Sequence, residues 1–424
     1  MLIEPGRGKR ADLEIDGRGR LRLVRSGARY AGRGRFESAP YRSPAGRVQL
    51  DWIEQWTAPQ RFVKRRGNPI YGPADSGPWD TWTNGVSIVP CADGSRYRMY
   101  YAGRKGEGIG FAEAPVDDPV TWLEHPASPV LRPRADDWEG NLLNQPRVVP
   151  LTGERWLMHY TGWGFPGAGT TWALGLAESR DGGTTWARCG EDPILERGGP
   201  GAPDEGGAVV PSIVRVGDEW WMWYTAARIH PDGHQNIHLC LATSSDCLHW
   251  RKHEGNPVLG DDFTDGAPRS VTSRCFVRHE AGVFQMWYSF AKPDYRIRYA
   301  ESLDGIEWER SPVDPVLEPS PGPAWDDMMV EYPEIQVVDG VYRLWYCGNG
   351  FGTVGYAEGR PDARVDVSVR TGEHPEPDHT WGAWRPVRRR EVVHLRRNVQ
   401  IRVELRTEGV SPAVSAISLC APPA

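Results

Sequence analysis

Three carboxylate side chains stand out as candidates for acid–base chemistry. Glu331 lies two residues before Pro333, at a position where related segments of the chain carry neutral residues. Glu205 follows Asp204, and two crowded carboxyl groups can keep one of them protonated near neutral pH. A protonated carboxyl group can donate a proton, whereas an ionised one can act as a nucleophile or activate water. We therefore predict Glu331 and Glu205 as an acid/base pair, with Asp80 as a third catalytic carboxylate.

A second set of residues has side chains suited to binding a ligand. Amides exchange hydrogen bonds with hydroxyl groups, guanidinium groups pair with carboxylates or phosphates, and tryptophan rings stack on apolar faces. The candidates are the amides Asn84, Asn144 and Gln145, the acids Glu139, Asp204 and Asp327, the arginines Arg147, Arg269 and Arg274, the aromatic residues Trp82 and Trp163, and His230.

Each of these candidates also has a structural interpretation. Glu139 follows a tryptophan, as Asp326 does, and a repeated pair is more typical of a folding unit than of a catalytic site. The arginines could equally neutralise neighbouring acids, and His230 could lie on a surface loop. Most of the 20 tryptophans are expected to pack inside the repeat.

The sequence favours a protein without a metal or other cofactor. His230, His234 and His238 are four residues apart, but the intervening Pro231 and Gly233 prevent the helix that a two-histidine zinc motif needs. The seven cysteines are scattered and include no Cys-x-x-Cys pair, so we expect reduced thiols.

A repeat of about sixty residues organises the middle of the chain. Five Asn/Asp/Ser-Pro-Val/Ile segments recur, with their prolines at 69, 129, 193, 257 and 315. Between them lie aromatic strands such as Met222-Trp223-Tyr224, and a tryptophan precedes the last four prolines by seven residues. Each repeat is predicted to form four short strands, which is typical of a propeller blade.

The flanking segments complete the predicted fold. Phe62 stands seven residues before Pro69, so residues 62–70 should supply the outer strand of the fifth blade and close a propeller over 62–360. Residues 1–61 and 361–424 contain alternating strands and are too short to bury separate cores. The predicted fold class is therefore all-β, a five-bladed β-propeller inserted into a β-sandwich formed by both terminal segments.

The repeat resembles the five-bladed β-propeller glycoside hydrolases, the furanosidase-type superfamily that includes families 32, 43, 62, 68, 117 and 130. The resemblance rests on the Asn/Asp-Pro-Val-Leu segments, the Met-Trp-Tyr strands and the turn Ser302-Leu-Asp-Gly-Ile-Glu-Trp308, and it covers about 300 of the 424 residues. It implies that carboxylates in the central funnel cleave or transfer sugars. The segment Glu331-Tyr-Pro resembles the superfamily's Glu-x-Pro, which carries the acid but usually lies in the third blade.

Two departures from the superfamily keep other functions open. The Asp-Pro pairs expected on the first two inner strands are replaced by Asn84-Gly85 and Asn144-Gln145, which favours a non-catalytic sugar-binding propeller. The arginines favour a glycoside phosphorylase. Our main prediction remains a glycoside hydrolase or glycosyl-transferring enzyme that uses carboxylate acid/base catalysis on a carbohydrate or glycoside held in the funnel.

Charge and composition limit the partners. The net charge is −6, and the terminal segments 1–60 and 361–424 carry +5 and +2, which leaves −13 for the middle of the chain. This acidity argues against nucleic-acid partners and favours water over phosphate as the nucleophile. Because the sequence has neither a membrane-length apolar run nor the apolar core of a signal peptide, we expect a cytoplasmic protein without a membrane partner.

Overall fold

The described part of the chain is built from β-strands and turns. The structure, a computed structural model, describes residues 8–26, 29–42, 46–72, 83–103, 108–134, 137–164, 172–230, 235–260, 271–350 and 352–420. These residues contain 33 strands and no helix, which confirms the prediction of an all-β chain. The same residues contain no helix of the length and apolarity that crossing a membrane requires.

Nine strands precede the first complete repeat. They are β1 (Gly8–Ala11), β2 (Leu13–Ile15), β3 (Leu21–Leu23), β4 (Arg25–Ser26), β5 (Arg29–Tyr30), β6 (Arg33–Ser38), β7 (Tyr41–Arg42), β8 (Arg47–Gln55) and β9 (Val63–Lys64).

The repeats form antiparallel four-stranded units, which we number in chain order. Among the described residues, a single parallel pairing, of Ile237 with Val271, joins units three and four into one eight-stranded sheet. Unit one contains β10 (Asn84–Pro90), β11 (Arg96–Gly103), β12 (Gly108–Pro115) and β13 (Leu123–Glu124). Unit two contains β14 (Leu143–Thr152), β15 (Arg155–Trp163), β16 (Trp172–Ser179) and β17 (Ala187–Arg188). Unit three contains β18 (Ala208–Val216), β19 (Glu219–Ile229), β20 (Gln235–Ser244) and β21 (Arg251–Lys252).

Units four and five follow the same pattern. Unit four contains β22 (Val271–Glu280), β23 (Val283–Ala291), β24 (Tyr295–Ser302) and β25 (Glu309–Arg310). Unit five contains β26 (Val330–Val338), β27 (Val341–Gly348) and β28 (Val354–Gly359), and its fourth strand is β9 from the N-terminal side. In that pairing Lys64 lies opposite Ala357, and Val63 lies opposite Glu358.

The first strands of the units contact one another in a ring. Each first strand contacts the next, and β26 of unit five contacts β10 of unit one. At this junction the Ile88 amide donates a hydrogen bond to Glu334 over 3.2 Å. The rings of Trp345 and Tyr97 pack edge to face across the same two units, with centroids 5.7 Å apart. Trp345, the tryptophan of the repeated motif in unit five, therefore contributes to the contact between units five and one.

The terminal segments pair with each other. After unit five come β29 (Ala363–Gly372), β30 (Arg385–Pro386), β31 (Val392–His394), β32 (Asn398–Thr407) and β33 (Ala413–Cys420). One sheet has the order β1-β6-β32-β29-β30 with β7 also on β32, and the other has the order β2-β3-β33-β8-β31. Buried side chains from both ends of the chain, including Phe36, Trp52, Ile401 and Leu419, share one hydrophobic core.

The terminal sheets are fixed to unit four. The Trp56 amide donates to both oxygens of buried Glu301, at 2.9 and 2.8 Å. Arg20 forms an ion pair of 2.8 Å with Glu309 on the last strand of the same unit. These contacts hold the terminal sheets beside the ring of units.

Candidate active site in the central cavity

A β-bulge interrupts the first strand of every unit at the same place. The shifts in register fall between Asn84 and Ser87, Asn144 and Arg147, Val209 and Ser212, Ser273 and Cys275, and Glu331 and Glu334. The second residue of three of these bulges has a positive φ, 60° at Gly85, 48° at Gln145 and 57° at Tyr332. Because a bulge redirects the side chains around it, the five bulges aim a ring of residues at the centre of the units.

This ring surrounds a cavity of about 230 Å³. The described residues that line it are Asn84, Asn144, Gln145, Thr161, Trp163, Trp172, Val209, Thr225, Ile237, Ser273, Arg274, Tyr295 and Tyr332. The structure thus brings together five of the predicted ligand-binding residues, namely Asn84, Asn144, Gln145, Trp163 and Arg274.

The amides at the cavity are oriented by one another. The Asn84 side chain donates to Asn144 Oδ1 over 3.2 Å, and the backbone N–H of Gln145 donates to the same oxygen over 2.8 Å. Asn84 Oδ1 is buried and has no hydrogen-bonding partner among the described residues. Trp163 is 37% exposed, and its ring meets that of Trp172 edge to face. The cavity therefore combines a free amide oxygen with an aromatic wall.

Glu331 occupies the fifth position of the ring. In strand register it is equivalent to Asn84, Asn144, Val209 and Ser273, all of which line the cavity. Its side chain is fully buried, and burial raises the pKa of this carboxyl group to about 8, although the nearby Arg274 charge and Tyr332 side chain limit the rise. Glu331 is therefore protonated at neutral pH.

Arg274 and Arg147 are the buried cations at the centre. Arg147 forms an ion pair of 2.8 Å with Glu334 and donates to the Pro211 carbonyl over 3.1 Å. Arg274 donates through Nη2 to the Val86 carbonyl, and burial lowers its pKa to about 10, with a further contribution from the Arg147 charge. Arg147 is thus paired with an acid inside the protein, although its Nη2 has no hydrogen-bonding partner among the described residues. Arg274, which lines the cavity, has no ion pair, and its Nε and Nη1 have no hydrogen-bonding partner among the described residues.

Three acids near the starts of the units belong to a repeated structural motif. In each case the acid accepts a hydrogen bond from the tyrosine of the second strand and pairs with a cation of the fourth strand. The sets are Glu139–Tyr160–Arg188 in unit two, Asp204–Tyr224–Lys252 in unit three and Asp326–Tyr346–Lys64 in unit five. We predicted Glu139 and Asp204 as ligand-binding residues, but the structure gives both a role inside their units, because buried carboxylates need such partners.

Several other predicted residues lie away from the cavity lining. Glu205 accepts the Gly201 N–H over 2.8 Å and so closes a turn, which does not bring it together with Glu331. Asp327 accepts hydrogen bonds from Ala324 in its own loop and from Asn349 in the loop after β27. His230 contacts Asn236, whose side-chain nitrogen lies 2.8 Å from the His230 ring. Asp80, Trp82 and Arg269 lie outside the described residues.

Sequence reasoning missed part of the lining. Ser273 and Tyr332 reach the cavity through their bulges, and Trp172 and Tyr295 also line it. The residues before each inner-strand proline carried the signal, because Asn144, Val209 and Glu331 share that offset. In unit four a cysteine replaces the proline, so this offset alone does not identify Ser273.

The described residues contain no cluster of three His, Cys, Asp or Glu side chains that could hold a metal ion. All seven cysteines are free thiols. The described residues that line the cavity carry amide, hydroxyl, guanidinium, aromatic and aliphatic side chains.

Comparison with known proteins identifies relatives of the fold. No protein-family model matches the chain. Uncharacterized protein Rv1502 of Mycobacterium tuberculosis strain H37Rv is 27% identical over 302 residues, which cover 69% of this chain and 97% of that protein. Protein MT1551 of strain CDC 1551 is similar to the same extent.

Solved structures similar to this chain include several glycoside hydrolases. One is described under the GH130 family of mannoside phosphorylases, which contains hydrolases of β-1,2 mannosidic linkages. It has a TM-score of 0.54 and 15% identity, and the similarity covers 74% of this chain and 97% of that chain. A thermostable family-43 glycoside hydrolase has a TM-score of 0.50 and 18% identity, over 65% and 88% of the two chains.

A third similar structure, a complex of BT0996 with RGII, has a TM-score of 0.54 and 21% identity, over 67% and 89% of the two proteins. These identities are too low to transfer an activity, and the structural similarity shows a shared fold alone. The chain therefore has the fold of these solved structures, which include a family-43 glycoside hydrolase.

Proposed function

We propose that this protein is a carbohydrate-active enzyme that cleaves or transfers a glycosyl group in the central cavity. In this proposal residues 62–360 form a five-bladed propeller whose blades are the five units, and residues 1–61 and 361–424 form one β-sandwich. The ring of first strands and the pairing of β9 with β28 support the propeller, and the shared core of the terminal sheets supports the sandwich.

Glu331 carries the proposal. Cleavage of a glycosidic bond needs a carboxylic acid that stays protonated near neutral pH and can donate to the leaving oxygen. Glu331 meets this requirement because its pKa is raised to about 8. It is not among the described residues that line the cavity, but in strand register it is equivalent to four residues that are. A buried acid with a raised pKa next to a cavity is typical of a functional site.

The second carboxylate is assigned to Asp80. No described residue that lines the cavity is acidic. Asp80 lies four residues before Asn84, whereas the acids of the structural motif lie five residues before the equivalent positions. Units two, three and five each have a cation at one position of the fourth strand. In unit one the equivalent position on β13 holds Glu124, which lies opposite Ala112. Unit one therefore lacks the cation of the motif, which favours a catalytic role for Asp80.

The remaining cavity residues suit one sugar ring. The amides Asn84, Asn144 and Gln145 can exchange hydrogen bonds with hydroxyl groups, and Trp163 offers an aromatic face to the apolar side of a sugar. The cavity is smaller than the roughly 300–1,000 Å³ of sites for drug-sized ligands, so we expect one ring inside it and the rest of the substrate outside.

The proposal is tested by comparing two Glu→Gln variants on a panel of aryl glycosides and oligosaccharides. Glu331→Gln should lower turnover at least about a hundredfold while ligand affinity is retained, because a positioned acid contributes about that much. Glu205→Gln is the matched control and should leave turnover nearly unchanged. Equal activity of Glu331→Gln and the unaltered protein would contradict the assignment.

Phosphorolysis is the second candidate, and the free N–H groups of Arg274 favour it. The acidity of the middle segment opposes phosphate less than expected, because Glu139, Asp204 and Asp326 are paired with cations inside their units. The same panel is therefore assayed with and without inorganic phosphate. Formation of a sugar phosphate indicates phosphorolysis, and binding without turnover in either arm indicates a sugar-binding protein.

A further inference from the structure

Arg274 is the charged side chain among the described residues that line the cavity. It is fully buried, and its Nε and Nη1 have no hydrogen-bonding partner among the described residues. Its Nη2 donates to the Val86 carbonyl, and its guanidinium carbon lies 5.5 Å from the centre of the Tyr332 ring. These contacts fix the orientation of the guanidinium group but do not neutralise its charge.

The neighbouring acids form no ion pair with Arg274. Glu334 already pairs with Arg147 over 2.8 Å. Glu331 lies near Arg274, but their nitrogen and oxygen atoms do not approach within the 4.0 Å of an ion pair. A buried cation without a counter-ion is costly to the folded protein, so its position at a cavity indicates that a ligand completes the pair.

We propose that Arg274 binds an anionic group of the ligand, a carboxylate or a phosphate, in the cavity. Ser273 Oγ also lines the cavity, is buried and has no partner among the described residues, so it can donate a second hydrogen bond to the anion. Asn84 Oδ1 can accept one from a sugar hydroxyl. The substrate class is therefore an acidic sugar or a sugar phosphate. This inference rests on the proposed function, since it names the ligand of the same site.

The test compares matched sugars by calorimetric titration. Glucuronate, galacturonate and mannuronate are each titrated beside glucose, galactose and mannose, together with the 1-phosphates and inorganic phosphate. At least one acidic ligand should bind about tenfold or more tightly than its neutral counterpart, because hydrogen bonds to charged groups are the stronger ones. Tighter binding of a uronate identifies a carboxylate, whereas binding of phosphates alone identifies phosphate.

Two arginine variants separate the site from a general effect of charge. Arg274→Gln should abolish the preference for acidic ligands. Arg278→Gln is the matched control on the same strand, because Arg278 contacts Gln285 and Tyr342 away from the cavity. Thermal unfolding of each variant checks that it folds, and the comparison of sugars in the unaltered protein needs no variant. Equal affinity for acidic and neutral sugars, or an unchanged preference in Arg274→Gln, would overturn the proposal.

Glu331→Gln distinguishes failure of this inference from failure of the proposed function. The anion site alone would be overturned if Glu331→Gln lost turnover on neutral glycosides while the unaltered protein showed no preference for anions. The enzyme proposal alone would be overturned if an anion bound tightly through Arg274 but no acidic or neutral glycoside was turned over.

Discussion

Replacing Glu331 by glutamine should make the protein more stable at alkaline pH. Burial raises the pKa of Glu331 from 4.5 to about 8 in the folded protein. The folded state therefore binds this proton more tightly than the unfolded state does. The resulting contribution to the free energy of unfolding is complete below pH 4.5 and is lost as the pH rises towards 8. Glutamine has nearly the same shape as a protonated glutamate and does not titrate, so the variant keeps its stability as the pH rises.

The magnitude follows from the shift in pKa. Each pH unit between the unfolded and folded pKa values changes the free energy of unfolding by about 1.4 kcal/mol per group. A difference of about 3.5 units therefore corresponds to roughly 5 kcal/mol between pH 4 and pH 9. Buried Glu301, whose pKa burial raises to about 7, contributes with the same sign in both proteins and cancels in the comparison.

The assay is urea unfolding followed by tryptophan fluorescence at unit steps from pH 5 to pH 9. The stability of Glu331→Gln relative to the unaltered protein should increase from pH 5 to about pH 8 and then level off. Glu205→Gln, which removes one negative charge from a turn, controls for the change in net charge. A difference between Glu331→Gln and the unaltered protein that stays constant from pH 5 to pH 9 would refute the reasoning.

Two further predictions follow from the paired and protonated carboxyl groups. Lys64→Met should lower the free energy of unfolding by about 3–5 kcal/mol, because it leaves fully buried Asp326 without its cation. Urea unfolding measures this loss, with the exposed-site variant Val63→Thr as the control. Unchanged stability would show that Asp326 does not need the ion pair. Turnover of any substrate found should decline above about pH 8 as Glu331 loses its proton, and a pH–rate profile that rises there would exclude it as the acid.

The all-β class was predictable because its signals are local. Alternating strands, turns rich in Gly, Asp and Pro, and a repeated spacing reflect short-range conformational preferences that every unit satisfies in the same way. Phe62 likewise stands at the spacing of the repeated tryptophans, and the structure pairs β9, immediately after it, with the last unit. The propeller and sandwich assignments remain proposals that rest on these pairings.

The candidate site was predictable only in part. The sequence by itself selected four residues that could take part in chemistry, namely Glu331, Asn84, Asn144 and Arg274. They carry polar or charged side chains on the predicted inner strands of the repeats. It also selected Glu139 and Asp204, whose partners Arg188 and Lys252 are about fifty residues further along the chain. Residue type does not reveal whether a carboxylate is neutralised by a cation so distant in sequence.

Tertiary structure decided which of these groups are paired and which are left to face the cavity. Burial and charge depend on every element packed around a side chain, so only the assembled ring could raise the pKa of Glu331 while Glu205 was left in a turn. The same packing pairs Arg147 with Glu334 and leaves Arg274 with free N–H groups beside the cavity. The sequence determined the strands and the chemical groups they carry, and the closure of the ring determined which groups lost their access to water and to counter-ions.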